Sequence, residues 1–302
     1  MTDKKEKKSI GFQIGYPFLW LAGHLPLWVL YRLSDFLFVI MLIVGYRRKV
    51  VTRNLRNSFP DKTSAQIRRI RIRFYRHFCD LLVETISLIG IDIRQIQNRV
   101  KVVNPELMEE LLNEGNNVIA VLGHYCNWEW TPVVSMDYKN TVSISVYRPL
   151  KNKEFDKLML NMRSRFGSIN LPLNSVSREI VKLRQQSRQF VIGLISDQSP
   201  SKFELNYWTT FLNQNTAIIL GPEKMARLSK SKVVYWHIVK TGRGRYQMTY
   251  IPYPGDVATS TEYEITEWHV RLLEGQIMDA PEFWLWSHKR WKYSHLYKPS
   301  GL

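Results

Sequence analysis

Hydrophobic positions along the chain fall into two regimes. Residues 16–46, YPFLWLAGHLPLWVLYRLSDFLFVIMLIVGY, are almost continuously apolar and are interrupted by His24, Arg32 and Asp35. Pro26, beside Gly23 and His24, should break any helix in the middle of the stretch. The longest uninterrupted apolar run, residues 36–44, is far shorter than the roughly 20 residues needed to cross a bilayer. Basic clusters lie on both sides, KKEKK before and RRKVVTRNLR after. A single span would place one of them on the wrong side of the membrane, whereas a hairpin or an in-plane anchor leaves both on the cytoplasmic face. Two other arrangements fit the same pattern. One is a buried helix pair in a soluble core; the other is a true span in which Arg32 snorkels or pairs with Asp35.

The stretch PDKTSAQIRRIRIRFYRHFCDLLVETISLIG, residues 60–90, predicts one long helix. Asp61, Thr63 and Ser64 are candidate caps and Gly90 is its stop. Arg68, Arg69, Arg71, Arg73 and Arg76 are too dense to share one face, and they fit either a solvated surface or contact with anionic headgroups.

From about residue 98 the pattern changes to short apolar runs alternating with amphipathic stretches. RVKVV, NVIAVLG, TVSISVYR and FVIGLIS predict strands. NPELMEELLNEG predicts a helix capped by Asn104, with Pro105 at its first position and Gly115 as its stop. KNKEFDKLMLNMRSRFG and SVSREIVKLRQQS predict further helices, another should begin near Asn127, and TAIILGPEKMARLSK reads as helical throughout. KVVYWHIVKTG and RYQMTYIPY form a hairpin around Gly242 and Gly244, and a last helix covers about 260–279. The fold class is α/β, a mostly parallel mixed sheet flanked by helices, preceded by an N-terminal apolar, membrane-associated helical region. The simplest domain organisation is an anchor or hairpin over 1–48 and an α/β domain over 49–302.

Composition sharpens this picture at three points. At 302 residues and 45% hydrophobic, the chain is long and apolar enough for a large core, which excludes a disordered protein. A formal charge of +17 points to an anionic partner: nucleic acid, an acidic membrane, a phosphorylated lipid or an acidic carrier protein. The two cysteines, Cys79 and Cys126, form no CxxC pair, so reduced thiols are expected and a structural metal site is not.

Candidate chemistry concentrates in GHYCNWEW. His124 follows Gly123 at the carboxyl end of an apparently buried strand, where open α/β sheets place their sites. Glu129 would fall in the first turn of the next helix. An acid bonded to one ring nitrogen fixes the tautomer, leaving the other nitrogen to act as a general base. A catalytic pair and a structurally satisfied histidine stand as equal readings of these residues. His269 and Glu274 share the spacing, but inside a predicted helix they point in different directions. Cys126 is too close to His124 for a thiol–imidazole pair and reads as a small buried hydrophobe. No GxSxG elbow, Walker A loop or strand-linked GxGxxG is present, and GRGR at 242–245 reads as a hairpin turn.

GHYCNWEW is similar to the His-x4-Asp/Glu motif of glycerolipid acyltransferases of the lysophospholipid acyltransferase-like superfamily. VTRNLRNSFP, VYRPLKNKEFDKLM, DQSP with FLNQNTAIILGPEKMARLSKSKVV, and PEFWLWSHKRWK follow in order over about 50–292. Together they resemble the late acyltransferases of lipid A biosynthesis, the lauroyl/myristoyl family. That resemblance implies an inner-membrane enzyme at the cytoplasmic face, moving a fatty acyl chain from acyl carrier protein to a hydroxyl of a phosphorylated glycolipid. No cofactor is implied beyond the acyl carrier protein co-substrate, and no nucleic acid is expected. Carried over by position, His124 is the base and Glu129 its orienting acid. Arg148 and Asp197 belong to the substrate site, with Asn127, His288 and Arg290 placed beside them as substrate-binding residues. The Phe-Pro-Glu-Gly block with which related enzymes bind glycerol phosphate is absent, which argues against simple phosphatidic acid synthesis. Another membrane-lipid acceptor, such as an aminolipid or a glycosylated phospholipid, fits the same catalytic centre. A non-catalytic basic binding protein is the remaining reading, though the basic residues are spread along the chain and no nucleic-acid motif is present.

Overall fold

The computed structural model describes residues 10–298, so the basic cluster KKEKK lies outside the described residues. Five helices come first: α1 (Ile10–Gly23), α2 (Leu27–Val44), α3 (Arg48–Ser58), α4 (Ser64–Ser87) and α5 (Ile93–Gln97). The α/β part begins with β1 (Val100–Val102), α6 (Pro105–Asn113), β2 (Val118–Leu122), β3 (Val142–Tyr147), α7 (Lys153–Ser164) and β4 (Ile169–Pro172). It continues with α8 (Val176–Gln185), β5 (Phe190–Ile195), β6 (Trp208–Phe211), β7 (Gln214–Ala217) and α9 (Gly221–Ser229). The hairpin β8 (Lys232–Gly242) and β9 (Arg245–Pro252) and the helix α10 (Glu264–Asp279) complete it.

The main sheet has the order β1-β9-β8-β2-β5-β3-β4. Every neighbouring pair is parallel except β8 with β9. The sheet is thus mixed and mostly parallel, as the alternation of short apolar runs with amphipathic stretches predicts. Strand β2 lies between β8 and β5, and all five of its residues are buried. This is the continuous apolar run that a strand covered on both faces requires.

The N-terminal region breaks where proline and glycine dictate. Helix α1 ends at Gly23, α2 begins after Pro26, and Gly45 closes α2 in the left-handed conformation. Leu27 and Leu30 of α2 join the same buried cluster as the sheet. The rest of the α1–α2 surface keeps Phe18, Trp28, Phe36, Ile43 and Val44 exposed. Helix α2 is long and apolar enough to cross a membrane by length and composition, with little of it buried. On α4, Thr63 and Gln66 form a reciprocal capping box, and Ile67, Ile70, Phe74 and Tyr75 face inward. Arg68, Arg69, Arg73 and Arg76 are left exposed.

Three expectations are corrected. No α-helix starts at Asn127; a turn runs to Trp130 and a 3-10 stretch follows over Thr131–Asp137, where Pro132 denies the ladder a donor. The segment read as one helix from Thr216 is instead the second strand of the β6–β7 hairpin, and the helix begins only at Gly221. Its tight turn places both Leu212 (φ 50°) and Asn213 (φ 59°) in the left-handed region. Asn104 precedes α6 but does not cap it. Its amide clamps β9 instead, accepting from the Tyr250 backbone N–H and donating to the Tyr250 carbonyl, both at 2.9 Å.

Candidate active site

Strands β2 and β5 pair in parallel register, with Val118 opposite Val191 and Leu122 opposite Ile195. Two steps past that last pair, the register brings His124 and Asp197 side by side at the carboxyl edge of the sheet. Their contact is double. The His124 ring Nδ1–H donates to Asp197 Oδ1 at 2.6 Å, and the His124 backbone N–H donates to Oδ2 at 2.9 Å. Trp284 adds a third bond, from Nε1–H to Oδ2 at 2.7 Å. Gly123 makes room for the approach, because a Cβ there would meet Leu273 Cδ1 at 2.6 Å and Asp197 Oδ2 at 3.4 Å.

Asp197 is buried. Burial alone would push its carboxyl upward, but the adjacent imidazole and the three donors outweigh it and hold the group at about 2. With Nδ1 occupied as donor, Nε2 carries the lone pair and faces Gln198, whose Nε2 lies 3.1 Å away. The Trp128 ring meets the imidazole edge to face, with centroids 5.0 Å apart. His124 is therefore oriented, with its basic nitrogen occupied only by an amide that a hydroxyl can replace.

The pairing expected between His124 and Glu129 is not the one present. The Glu129 carboxylate is bonded by Arg163 of α7 through two donors, Nε to Oε2 at 2.9 Å and Nη2 to Oε1 at 2.6 Å. Trp128 Nε1–H adds a bond to Oε1 at 3.1 Å. The reason is the turn: Cys126 is left-handed (φ 52°), so the chain swings Glu129 toward α7 while the neighbouring strand supplies His124 with its acid. Arg163 loses some basicity to burial, but its ion pair with Glu129 more than restores it, and the guanidinium is held above its ordinary value.

His124, Glu129, Arg163 and Gln198 line one end of a cavity of about 680 Å³. Arg148, at the carboxyl end of β3, stands exposed at its rim beside Lys151. Beyond them the walls are largely apolar, with Leu122, Val146, Leu160, Leu173, Val191 and Trp236 among them. Among the described residues no group of three or more His, Cys, Asp or Glu side chains gathers as a metal site would need.

The other expected binding residues lie elsewhere. Asn127 is buried and donates from Nδ2 to Glu84 at 2.7 Å, while its Oδ1 accepts from the Trp130 backbone at 3.1 Å. Arg290 is buried outside the cavity and donates to the Ala217 carbonyl at 2.7 Å, with burial holding its guanidinium down at about 10. His288 is half-buried and off the cavity wall, its imidazole lowered to about 4 chiefly by burial. The closing segment that carries both residues instead braces the site. Leu285 N–H bonds the His124 carbonyl at 3.1 Å, Cys126 N–H bonds the Phe283 carbonyl at 3.0 Å, and Trp284 grips Asp197. Cys126 is fully buried and burial pushes its thiol well up, consistent with a packing role.

Arg163, Gln198 and Trp284 had no signal of their own in the sequence. Asp197 did: VIAVLGH and VIGLISD are matching apolar runs that each end on a polar residue at the same step.

The chain thus presents a mostly parallel α/β sheet with an oriented histidine over an apolar cavity. The family model for bacterial lipid A biosynthesis acyltransferases matches residues 4–293, and the chain belongs to that family. It is similar to the lipid A biosynthesis lauroyltransferase of Escherichia coli (strain K12), 25% identical over 291 residues that cover 96% of this chain and 92% of the relative.

Proposed function

We propose that this acyltransferase moves a medium-length fatty acyl chain, lauroyl or myristoyl, from an acyl carrier protein thioester to a hydroxyl of a phosphorylated lipid A precursor. The observation that carries the reading is the His124–Asp197 pair at the polar end of an apolar cavity, in a chain of this family. The acceptor hydroxyl takes the place of Gln198 at His124 Nε2, which receives its proton as the oxygen attacks the thioester carbonyl. Asp197 stabilises the imidazolium that forms. Collapse of the tetrahedral intermediate breaks the C–S bond, and the imidazolium returns the proton to the leaving thiolate. In this reading Arg148 binds a phosphate of the acceptor or stabilises the developing oxyanion. The Glu129–Arg163 pair fixes the facing wall, and the acyl chain occupies the apolar part of the cavity.

The lipid reaches the site from a membrane in this reading. Helix α1 lies against α7 near the rim, with Phe12 packed on Phe155 at 5.4 Å between centroids. The exposed apolar α1–α2 surface thus stands beside the cavity mouth, flanked by exposed Arg47, Arg48, Lys49, Arg53 and Arg56. That combination suits an anionic membrane surface, here the cytoplasmic face of the inner membrane. The same basic surface suits an acidic carrier protein as the donor's bearer.

The test is acyl transfer read by mass spectrometry. Detergent-solubilised protein is offered carrier proteins with chains of several lengths and a lipid extract containing tetra-acylated lipid A precursors. The expected product is a precursor heavier by one chain, with a rate about 10²–10⁴-fold lower in His124→Ala and near normal in Lys232→Ala. Mass gained by glycerophospholipids or aminolipids would move the acceptor while keeping the chemistry. A fully active His124→Ala variant would overturn it.

A further inference from the structure

The turn that carries the site has almost no hydrogen-bond ladder of its own. Residues 123–130 belong to no helix or long strand, and Cys126 sits in the left-handed region. His77 of α4 and the closing segment hold its first half, through the Cys126 carbonyl at 3.2 Å and the bonds given above. Its second half rests on one buried carboxylate, Glu84 of α4, whose side chain has no solvent exposure. Its Oε2 accepts from Asn127 Nδ2 at 2.7 Å and from the Tyr246 hydroxyl at 2.7 Å. Its Oε1 accepts from the Tyr31 hydroxyl at 2.9 Å, and its backbone carbonyl accepts from Trp130 Nε1 at 3.1 Å. Asn127 and Trp130 are thus both pinned to Glu84, and between them lie Trp128, whose ring abuts His124, and Glu129.

The third tie leads away from the site. Tyr31 belongs to α2, the helix whose other faces are exposed and apolar. It reaches Glu84 from a short inward stripe that also places Ser34 on Asp80 at 2.8 Å and Asp35 on Arg243 at 2.9 Å. Asn127, Tyr246 and Tyr31 are neutral donors that converge on a single carboxylate in a dry interior. Removing its charge strands buried donors, and that cost falls on whichever segment is free to move. Strand β9, carrying Tyr246, is locked in the sheet, whereas residues 127–130 of the turn have no strand pairing.

We propose that Glu84 is a positioning residue for acyl transfer, holding the turn of His124 and Glu129 in its working geometry, and that Tyr31 makes the seating of helix α2 part of that hold. The catalytic part of the proposal rests on the function proposed above. Glu84 touches no substrate, and its carboxylate acts through Asn127. Because α2 is also the helix offered to the lipid, the same carboxylate joins membrane attachment to the geometry of the base.

The test uses the full chain in detergent with the variants Glu84→Gln, Glu84→Gln/Asn127→Asp, Asn127→Ala and Tyr31→Phe. The double variant reverses the donor and acceptor while keeping the total charge and the bond to the Trp130 backbone. For each variant, kcat and KM, the thermal midpoint and the His124 imidazole Hε1 NMR signal, assigned with His124→Ala, are measured. Glu84→Gln is expected to lower kcat about tenfold or more, leave KM within about twofold and shift the Hε1 signal. The double variant should return both kcat and the signal most of the way, and Tyr31→Phe should lower kcat by a smaller factor in the same sense. Asn127→Ala keeps Glu84 intact, cuts the same link, and serves if Glu84→Gln does not fold. Wild-type kcat and an unmoved signal in Glu84→Gln or Asn127→Ala would overturn the proposal. So would a double variant that regains the thermal midpoint but neither kcat nor the signal, which would make Glu84 purely structural. A Tyr31→Phe variant with wild-type kcat would overturn the link to α2. If the wild type transfers no acyl group at all, the proposed function fails, and the Hε1 signal still decides whether Glu84 positions the turn.

Discussion

His124 is oriented by what lies behind its ring. With Nδ1–H committed to Asp197 at 2.6 Å, the lone pair must sit on Nε2, facing the cavity. Asp197→Asn keeps the shape but can offer an N–H to Nδ1, which selects the wrong tautomer. Its kcat should fall about 10²–10⁴-fold with little change in KM, and an unchanged kcat would remove Asp197 from the mechanism. The same substitution has a pH signature in stability. The carboxyl lies at about 2 in the folded chain against an ordinary 3.8, so its charged form favours folding. That contribution, about 2 kcal/mol, is present above pH 4 and is lost as the pH falls through 2. In urea titrations the wild-type advantage over Asp197→Asn should therefore hold from pH 7 to 4 and narrow below it. His124 was legible in the sequence because strand end and residue type coincide locally. Its acid was misread because the visible spacing, His-x4-Glu, is local, whereas the bond that forms spans 73 residues and depends on strand register. Asn127 and Arg290 were misplaced for a related reason. Polar residues in a motif look like ligands for substrate until burial shows that they satisfy the protein itself.

Among the elements, those set by strong local chemistry were legible. Pro26 starts α2, Thr63 caps α4, and Gly244 (φ 63°) turns the β8–β9 hairpin. The β6–β7 hairpin was hidden because its two left-handed turn residues are Leu212 and Asn213, with no glycine to announce them. The GRGR turn carried more than a turn. Arg243 bonds both Asp80 at 2.6 Å and Asp35 at 2.9 Å, bringing α4 and α2 together at the hairpin. This polar seam explains how a helix as apolar as α2 keeps a fixed rotation: Tyr31, Ser34 and Asp35 face the protein, leaving Trp28 (70% exposed) and Phe36 (64%) outward. If that outward face enters lipid, replacing Trp28 and Phe36 with serine removes about 1.5–3 kcal/mol of apolar burial each. Co-sedimentation with anionic vesicles should then weaken at least about tenfold per residue at fixed salt. Equal binding by the double variant and the wild type would detach the α1–α2 surface from the membrane.

Across the whole molecule, a +17 chain folds by keeping most of its basic side chains outside, with Arg290 a buried exception. Burial disfavours the charged form of four histidines on four separate segments. Burial, with Lys240 beside it, holds His77 at about 3, and Lys240 Nζ donating to its Nδ1 at 3.4 Å requires a neutral ring. Burial lowers His269 to about 4, with Nε2 unpartnered, and His288 to about 4, with Nδ1 unpartnered. Burial also lowers His237 on β8. An unfolded chain would protonate all four near 6.5. Between about pH 6.5 and 5, unfolding therefore takes up as many as four protons that the fold excludes. Each proton makes stability rise with pH by about 1.4 kcal/mol per unit. Glu84 works against this trend, since burial raises its carboxyl and acid would favour its folded form, but it is one group against four. The Asp197 carboxylate does not enter, because its loss begins only below pH 4. The thermal midpoint at constant ionic strength should accordingly fall as the pH is lowered from 7 to 5, and His269→Leu should flatten the slope by about a quarter. A midpoint that stays level or rises toward pH 5 would mean that these histidines reach water in the folded protein, and that the interior around α4 and α10 is wetter than its packing describes.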